Sequence, residues 1–439
     1  MVALEVDTGP RRVLAMAVPA LGVLAAEPLY VLVDTAVVGH LGATPLAGLA
    51  LGGVLFTLVS SQLTFLSYGT TARTARLHGA GRRADAVAEG VQATWLGLAL
   101  GAVLLVIGEL LAGPVARLLA GDGPIAAAAV SWLRIALLGA PFVLVTMAGN
   151  GWMRGVQDAV KPLRYVLAAN VASAILCPVL VYVVGWGLPG SAVANVACQL
   201  VGAALFLRAL RAEHVPLRPQ PRTILAQLKL GRDLVVRSLA FQVTGVAATS
   251  VAARTSAEAA GAHQVVLQLW SFLAMVLDSL AIAAQALVGA ALGAGSADQA
   301  RSVARRITGY GLVLGTGLGV VFAALAGILP RAFTADPGVL AQIPLAWWIF
   351  VLLQPIAGVV FALDGVFLGA GDAAFLRTAT ILAAFLGYLP MIVLSLILRW
   401  GLVGIWTGLS LMMVIRLVTL LIRQRSGRWA VVGADLAKS

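Results

Sequence analysis

Asp34 and Glu27 are acidic residues inside the apolar stretch that opens the chain, seven positions apart and so on nearly one face of any helix formed there. An ionised Asp at the centre of a bilayer-spanning helix costs roughly 2.5–3.5 kcal/mol on the insertion scale. A carboxyl group in such a place is paired, is neutralised, or alternates between its charged and neutral forms. Alternation is proton chemistry: a carboxyl group that takes a proton from one side of a membrane and releases it to the other can drive work. Pro28 lies between the two acids and denies the backbone one hydrogen bond, which favours a kink nearby. A bending helix can turn a change of charge into a change of shape. Asp278 and Asp364 are two further acids singled out within apolar runs. Their other reading is structural, as braces of helix packing through Arg or backbone groups.

Uncharged polar residues complete the candidate constellation. Asn150, Asn170 and Asn195 fall on three consecutive apolar runs, and Gln199 sits one turn beyond Asn195. An amide donates to a carboxylate and accepts from a cation or a substrate, although singly each also serves as an interhelical tie. In the second half, Gln242, His263, Gln264, Gln268 and Gln285 form a polar set with few charges; of these, Gln242, Gln264 and Gln285 join Asn150, Gln199 and Asp278 as the candidate substrate-contacting residues. Arg134 is the basic residue placed well within a run, expected to extend its guanidinium outward. Cys177 and Cys198 have no His or Asp at ligand spacing, which argues against a metal site and a disulfide framework. No Ser–Lys or Ser–His pairing and no His-Glu-x-x-His motif is present, so an enzyme is not expected. The stretch Gly185 to Gly190 fits the dinucleotide pattern G-x-G-x-x-G, yet it lies between apolar runs with no strand before it, and reads as a turn.

The elements that position these residues are set by composition. Hydrophobic residues make up 61% of the 439 positions and charged residues 11%, against roughly 25% charged in soluble domains. From Tyr165 to Leu207 there is no Asp, Glu, Lys, Arg or His, enough for two spans of about 20 residues. Continued along the chain, this gives twelve spans near 13–38, 44–72, 87–112, 125–150, 162–185, 188–210, 233–253, 258–290, 302–329, 338–368, 374–398 and 401–423. The runs are continuous, not alternating with period two, so they are helices and not barrel strands. The opening span is preceded by Glu5 and Asp7 and is long, which fits a retained first span better than a signal peptide. If the chain starts in the cytoplasm, nearly all of its 30 Lys and Arg fall on that side, with Arg117, Arg254, Arg331 and Arg399 opposite. This asymmetry is the positive-inside pattern. The net charge of +12 therefore orients a multi-pass protein in the cytoplasmic (cell inner) membrane, both termini inside, and gives no reason to expect nucleic acid.

The chain also repeats itself. Adding 214 takes Pro141 to Pro355, Gly151 to Gly365, Gly155 to Gly369, Asp158 to Asp372, and Trp186-Gly187-Leu188 to Trp400-Gly401-Leu402. This is a duplication: an N-terminal six-helix lobe over 1–214, a cytoplasmic linker over 215–230 with Pro216, Pro219 and Pro221, and a C-terminal six-helix lobe over 231–439. Six spans is an even number, so the copies enter the membrane from the same side and are related by a pseudo-two-fold axis along its normal. A cleft between the lobes, opened to alternate faces as they rock, is the expected mode of action.

The residues then meet a known pattern. Pro28-Leu29-Tyr30-Val31-Leu32-Val33-Asp34-Thr35-Ala36-Val37-Val38-Gly39-His40-Leu41-Gly42 closely resembles the first-helix signature of multidrug and toxic compound extrusion (MATE) transporters of the DinF-type branch. Arg154-Gly155-Val156-Gln157-Asp158 with Lys161-Pro162 is similar to that family's loop after the fourth span, and Leu363-Asp364-Gly365 through Gly371-Asp372 to its second-half echo. Lys229-Leu230-Gly231-Arg232-Asp233 and Arg237-Ser238-Leu239 also match. The resemblance implies an all-α membrane protein of twelve helices in two lobes around a central cavity, working as an antiporter that exports organic compounds against H⁺ or Na⁺. It implies that Asp34 binds the coupling ion near Asn170, with Glu27 and Asn195 as further candidates. Many relatives carry a second carboxylate on the fifth helix; here Asn170 to Pro178 has none, and Asn195 stands where a threonine is common. A bare Na⁺ wants several oxygen ligands and a proton needs one carboxylate, so H⁺ is favoured. The expected partners are membrane lipid and a small organic substrate, with no cofactor and no metal, the chain acting as a monomer. The rival reading is a flippase of lipid-linked oligosaccharides from the wider superfamily, which would need a cationic cavity.

Overall fold

The computed structural model describes residues 9–434, and the acidic pair Glu5 and Asp7 lies outside them. The described residues form helices and connecting turns, with no strand among them. Among the described residues eleven helices are long and apolar enough to cross a membrane, and a bent pair makes the twelfth span. In chain order they are α1 (Pro10–Gly39), α2 (Ala43–Gly79), α3 (Arg83–Ala120), α4 (Pro124–Leu137 and Ala140–Gly155), α5 (Val160–Val183) and α6 (Gly187–Ala212). The second set is α7 (Pro221–Thr255), α8 (Ala257–Gly293), α9 (Ala297–Ala324), α10 (Pro337–Ala370), α11 (Ala373–Ile397) and α12 (Gly401–Ser426). The two segments of α4 meet at 50°, just before Pro141, whose missing N–H cannot continue the first segment's ladder. By contrast, α1 stays helical through both Pro19 and Pro28.

Local chemistry fixes the helix ends. Ser256, Ser296 and Asp336 cap α8, α9 and α10, each accepting a hydrogen bond from the backbone N–H three residues on. α5 closes in a π-helical turn, Val179–Val183, directly after Pro178, and α11 carries a second such turn, Ala384–Tyr388. Wide turns of this kind are rare and gather at functional sites.

The chain divides into two compact units, Val18–Gly231 and the portion from Arg232 onward together with the beginning of α1 up to Ala17. The division falls inside α7, which starts at Pro221. The preceding linker is held to the first unit from one face of α3. Trp95 donates to the Leu217 carbonyl (2.8 Å), and Gln92 both donates to the Arg218 carbonyl (3.0 Å) and accepts from the Gln220 N–H (2.6 Å). One turn back, Glu89 accepts from Gln227 (2.8 Å) and is gripped by Arg73 through two nitrogens. Residues 221–230, expected as linker, are thus the first turns of a spanning helix.

The internal repeat extends to backbone geometry. Gly185 and Arg399, 214 positions apart, both take left-handed conformations (φ 78 and 55), as do Gln157 and Gly371 (φ 63 and 75), although the residue types differ. Helix approach repeats too. A Cβ on Gly151 would lie 2.7 Å from the Ser67 carbonyl oxygen, and one on Gly365 would collide with the carbonyl of Ala281, the residue at the same offset from Ser67. Backbone cannot move aside as a side-chain tip can. Gly365→Ala is therefore expected to cost about 1–3 kcal/mol, lowering the melting temperature of the purified protein. Gly53→Ala, where a Cβ meets nothing within 4 Å, is expected to leave it unchanged or raise it.

Candidate functional site

Asp34 is buried, 3% exposed, on the last turns of α1. Its Oδ1 accepts hydrogen bonds from Ser191 Oγ of α6 (2.6 Å) and from Cys177 Sγ of α5 (3.3 Å). Ser191 in turn accepts from Trp132 Nε1 of α4 (3.2 Å). One helical turn earlier, the Tyr30 hydroxyl accepts from Asn195 Nδ2 (3.1 Å), and Asn195 stands one turn beyond Ser191. The pairs 34–191 and 30–195 stitch α1 to α6 along single faces, because residues four apart on a helix stack above one another. At the end of α1, the Leu41 N–H turns to the Val38 carbonyl, which leaves the Val37 carbonyl without its helical partner; the Tyr182 hydroxyl, from the π turn of α5, donates to it. Among the described residues no Lys, Arg or His forms an ion pair with Asp34. Its neighbours are neutral donors: a hydroxyl and a thiol.

The sequence candidates distribute unevenly around this core. Asn195 meets Tyr30, not the carboxylate, and its Oδ1 is buried without a partner. Asn170 lies 3.9 Å from the Cys198 thiol through its Oδ1. Glu27 is exposed on α1. Asn150 is buried with an unpartnered Oδ1, and Gln199 is half-buried. In the second unit, Gln264 and Gln268 are exposed, Gln242 and Asp278 are half-buried, and Gln285 is enclosed where the backbone of α8 meets Gly369 of α10. His263 is buried against Trp406, ring centroids 5.9 Å apart. Cys177 and Cys198 are both free and buried.

Ser191, Cys177, Trp132 and Tyr30, the groups that contact or surround Asp34, were not among the residues picked from sequence as its partners. A signal existed for one of them: Ser191 lies one turn before Asn195 and on its face of α6. Arg134 lies within α4 with its side chain partly exposed, as expected, but it is not the one basic residue inside a span. Arg134 pairs loosely with Glu109 (3.6 Å), both partly exposed, whereas Arg237 of α7 and Arg416 of α12 converge on Oδ2 of Asp364 in α10. Arg416 is 2% exposed, and both guanidinium groups lie over the Phe241 ring, 5.6 and 5.0 Å from its centroid. Asp364 is thus a brace through Arg, one of its two expected roles. Glu89 and Glu109, on the third spanning helix, are further acids beyond the four singled out, and each has an Arg partner. Among the described residues, Asp34 is the buried acid left with neutral donors.

Comparison with known proteins follows the same duplication. The profile of the MatE family matches residues 19–179 and again 234–394, one match on each repeat. Protein DETOXIFICATION 44, chloroplastic, of Arabidopsis thaliana is 34% identical over 434 residues, covering 95% of this chain and 83% of the relative. DNA damage-inducible protein F of Escherichia coli (strain K12) is 29% identical over 419 residues, covering 92% and 90%. A crystal structure of MATE in the bent conformation superposes with a TM-score of 0.89 at 18% identity, covering 98% of each chain.

Proposed function

The chain belongs to the MatE family of membrane transporters, and from that premise we propose that it exports organic compounds in exchange for protons, with Asp34 as the group that carries the proton. The observation that carries this reading is the setting of Asp34: a buried carboxyl group in a spanning helix, held by a hydroxyl and a thiol, with no Lys, Arg or His among the described residues to lock it in the charged form. Proton uptake removes the charge and with it most of the pull on Ser191 and Cys177, the groups by which α6 and α5 hold α1. The proton is thereby tied to the fit of α1 against its neighbours, which is what coupling to alternating access requires.

Protons are favoured over Na⁺ by the same contacts. The hydroxyl of Ser191 points its hydrogen at the carboxylate and receives the Trp132 N–H on its oxygen, and Cys177 presents a thiol. Donors stabilise a carboxylate but do not ligate a hard cation, which needs several oxygens. Glu27, Asn170 and Asn195 are proposed to support the same site, and Asn150, Gln199, Gln242, Gln264, Gln285 and Asp278 to contact substrate. The Lys and Arg asymmetry supports placement in the cytoplasmic membrane with both termini inside. The flippase reading draws no support from Arg237 and Arg416, which are engaged with Asp364.

The test is transport of a fluorescent organic cation in proteoliposomes. An imposed pH gradient without Na⁺ is expected to drive uphill movement, and a Na⁺ gradient with pH clamped by an uncoupler is expected to drive none. The reverse result would overturn proton coupling.

A further inference from the structure

We infer that Trp132 is a positioning residue for proton transfer: acting through Ser191, it fixes a hydroxyl hydrogen on Asp34 Oδ1 and so assigns Oδ2 as the atom that gains and loses the proton. This deepens the reading of Asp34 as proton carrier and rests on it.

The direction of each hydrogen bond is forced by chemistry. An indole N–H only donates, and an ionised carboxylate only accepts. Ser191 Oγ lies between them, 3.2 Å from Trp132 Nε1 and 2.6 Å from Asp34 Oδ1. Its oxygen must take the indole hydrogen, and its own hydrogen must go to Asp34. The Cys177 thiol, 3.3 Å from the same oxygen, donates there as well. With two hydrogens already aimed at Oδ1, a proton arriving on that atom would have to turn both away. Oδ2 accepts no hydrogen bond from the described residues. A proton binds there by forming one O–H bond, and leaves by breaking it; the relay's hydrogen bonds point the same way in both states, and they weaken when the charge is gone.

Left without the indole N–H, the Ser191 hydroxyl has a competing acceptor in the carbonyl one turn back in its own helix, a common choice for helical serines. The indole's seat is built for it. Trp132 is 3% exposed within an apolar cluster with Val38, Leu49, Leu137 and Leu188, and a Cβ on Gly52 would meet its Cε3 at 2.9 Å. The titratable groups facing Asp34 are Tyr30 from α1 and Cys177 from α5. α6 presents Ser191 and Asn195, α4 presents Trp132, and among the described residues none of these helices brings a Lys, Arg or His into ion-pair range.

The test is an infrared titration of the full-length protein in lipid nanodiscs, following the protonated-carboxyl band that disappears in Asp34→Asn. Ser191→Ala removes a direct donor to the charged form, so half-protonation is expected at a pH higher by about one to two units. Trp132→Phe keeps the ring and loses the N–H. It is expected to move the midpoint in the same direction by about a third as much, and to add nothing in the Ser191→Ala background. Gly52→Ala, which displaces the ring and deletes no polar group, is expected to shift it likewise. An unmoved midpoint in Trp132→Phe, or a shift that persists undiminished without Ser191, would overturn the relay, as would an Asp34 that shows no titration. The reading is independent of transport. A relay-sensitive Asp34 in a protein that pumps without it would sink the proposed function alone, and a pumping protein whose Asp34 ignores Trp132 would sink the relay alone.

Discussion

Asp364→Ala is expected to destabilise the second unit by about 3–5 kcal/mol, the usual cost of removing one partner from a buried ion pair. Asp364 Oδ2 receives Arg237 Nη2 at 2.6 Å and also Arg416 Nη2. The Arg416 side chain is 2% exposed, so without the carboxylate its charge has neither water nor counter-ion to turn to. Phe241, beneath both guanidinium groups, offers only its π face, worth about 0.5–2 kcal/mol. The variant should show a much lower melting temperature in detergent and a poor yield of dispersed protein.

The loss comes from an orphaned charge and not from a missing contact, so removing the charges together should recover most of it. Asp364→Leu combined with Arg237→Met and Arg416→Met is expected to melt well above Asp364→Ala. A triple variant as unstable as the single one would contradict this account and assign the cluster a role beyond its charges.

The duplicated helical frame was legible in the sequence, and the polar sites were legible only in part. Residues that repeat at an offset of 214 do so where backbone geometry leaves little choice: Gly151 and Gly365 lie against a neighbouring backbone, and Gly187 and Gly401 take positive φ. Polar function does not follow the repeat. Position 248, at the same offset from Asp34, is Ala, and Asp364 corresponds to Asn150. Each unit thus carries its own charged centre on a shared scaffold.

Asp34 stood out because a carboxyl group among apolar residues has few bland explanations. Its partners did not, since period and spacing give the face of a helix but not which turn of a neighbour lies opposite. That is why Asn195, chosen for the carboxylate, meets Tyr30, and Ser191, one turn away, meets Asp34. Arg416 was passed over for a related reason. Near the end of a span, an arginine reads as a cytoplasmic anchor, and its carboxylate partner is 52 residues away in sequence.

Asp34→Asn bears on the central claim most directly. Asparagine matches aspartate in size, and its carbonyl can accept from Ser191 and Cys177 with the weaker hold of the neutral form, so the side chain stays in the protonated-like state and loses its capacity to gain and lose a proton. In proteoliposomes the variant is expected to exchange labelled for unlabelled substrate down a concentration gradient, showing that the passage still opens to both faces. Under an imposed pH gradient, its uphill transport is expected to fall to the level of protein-free vesicles. Asp34→Asn that accumulates substrate against its gradient at the wild-type rate would contradict the account.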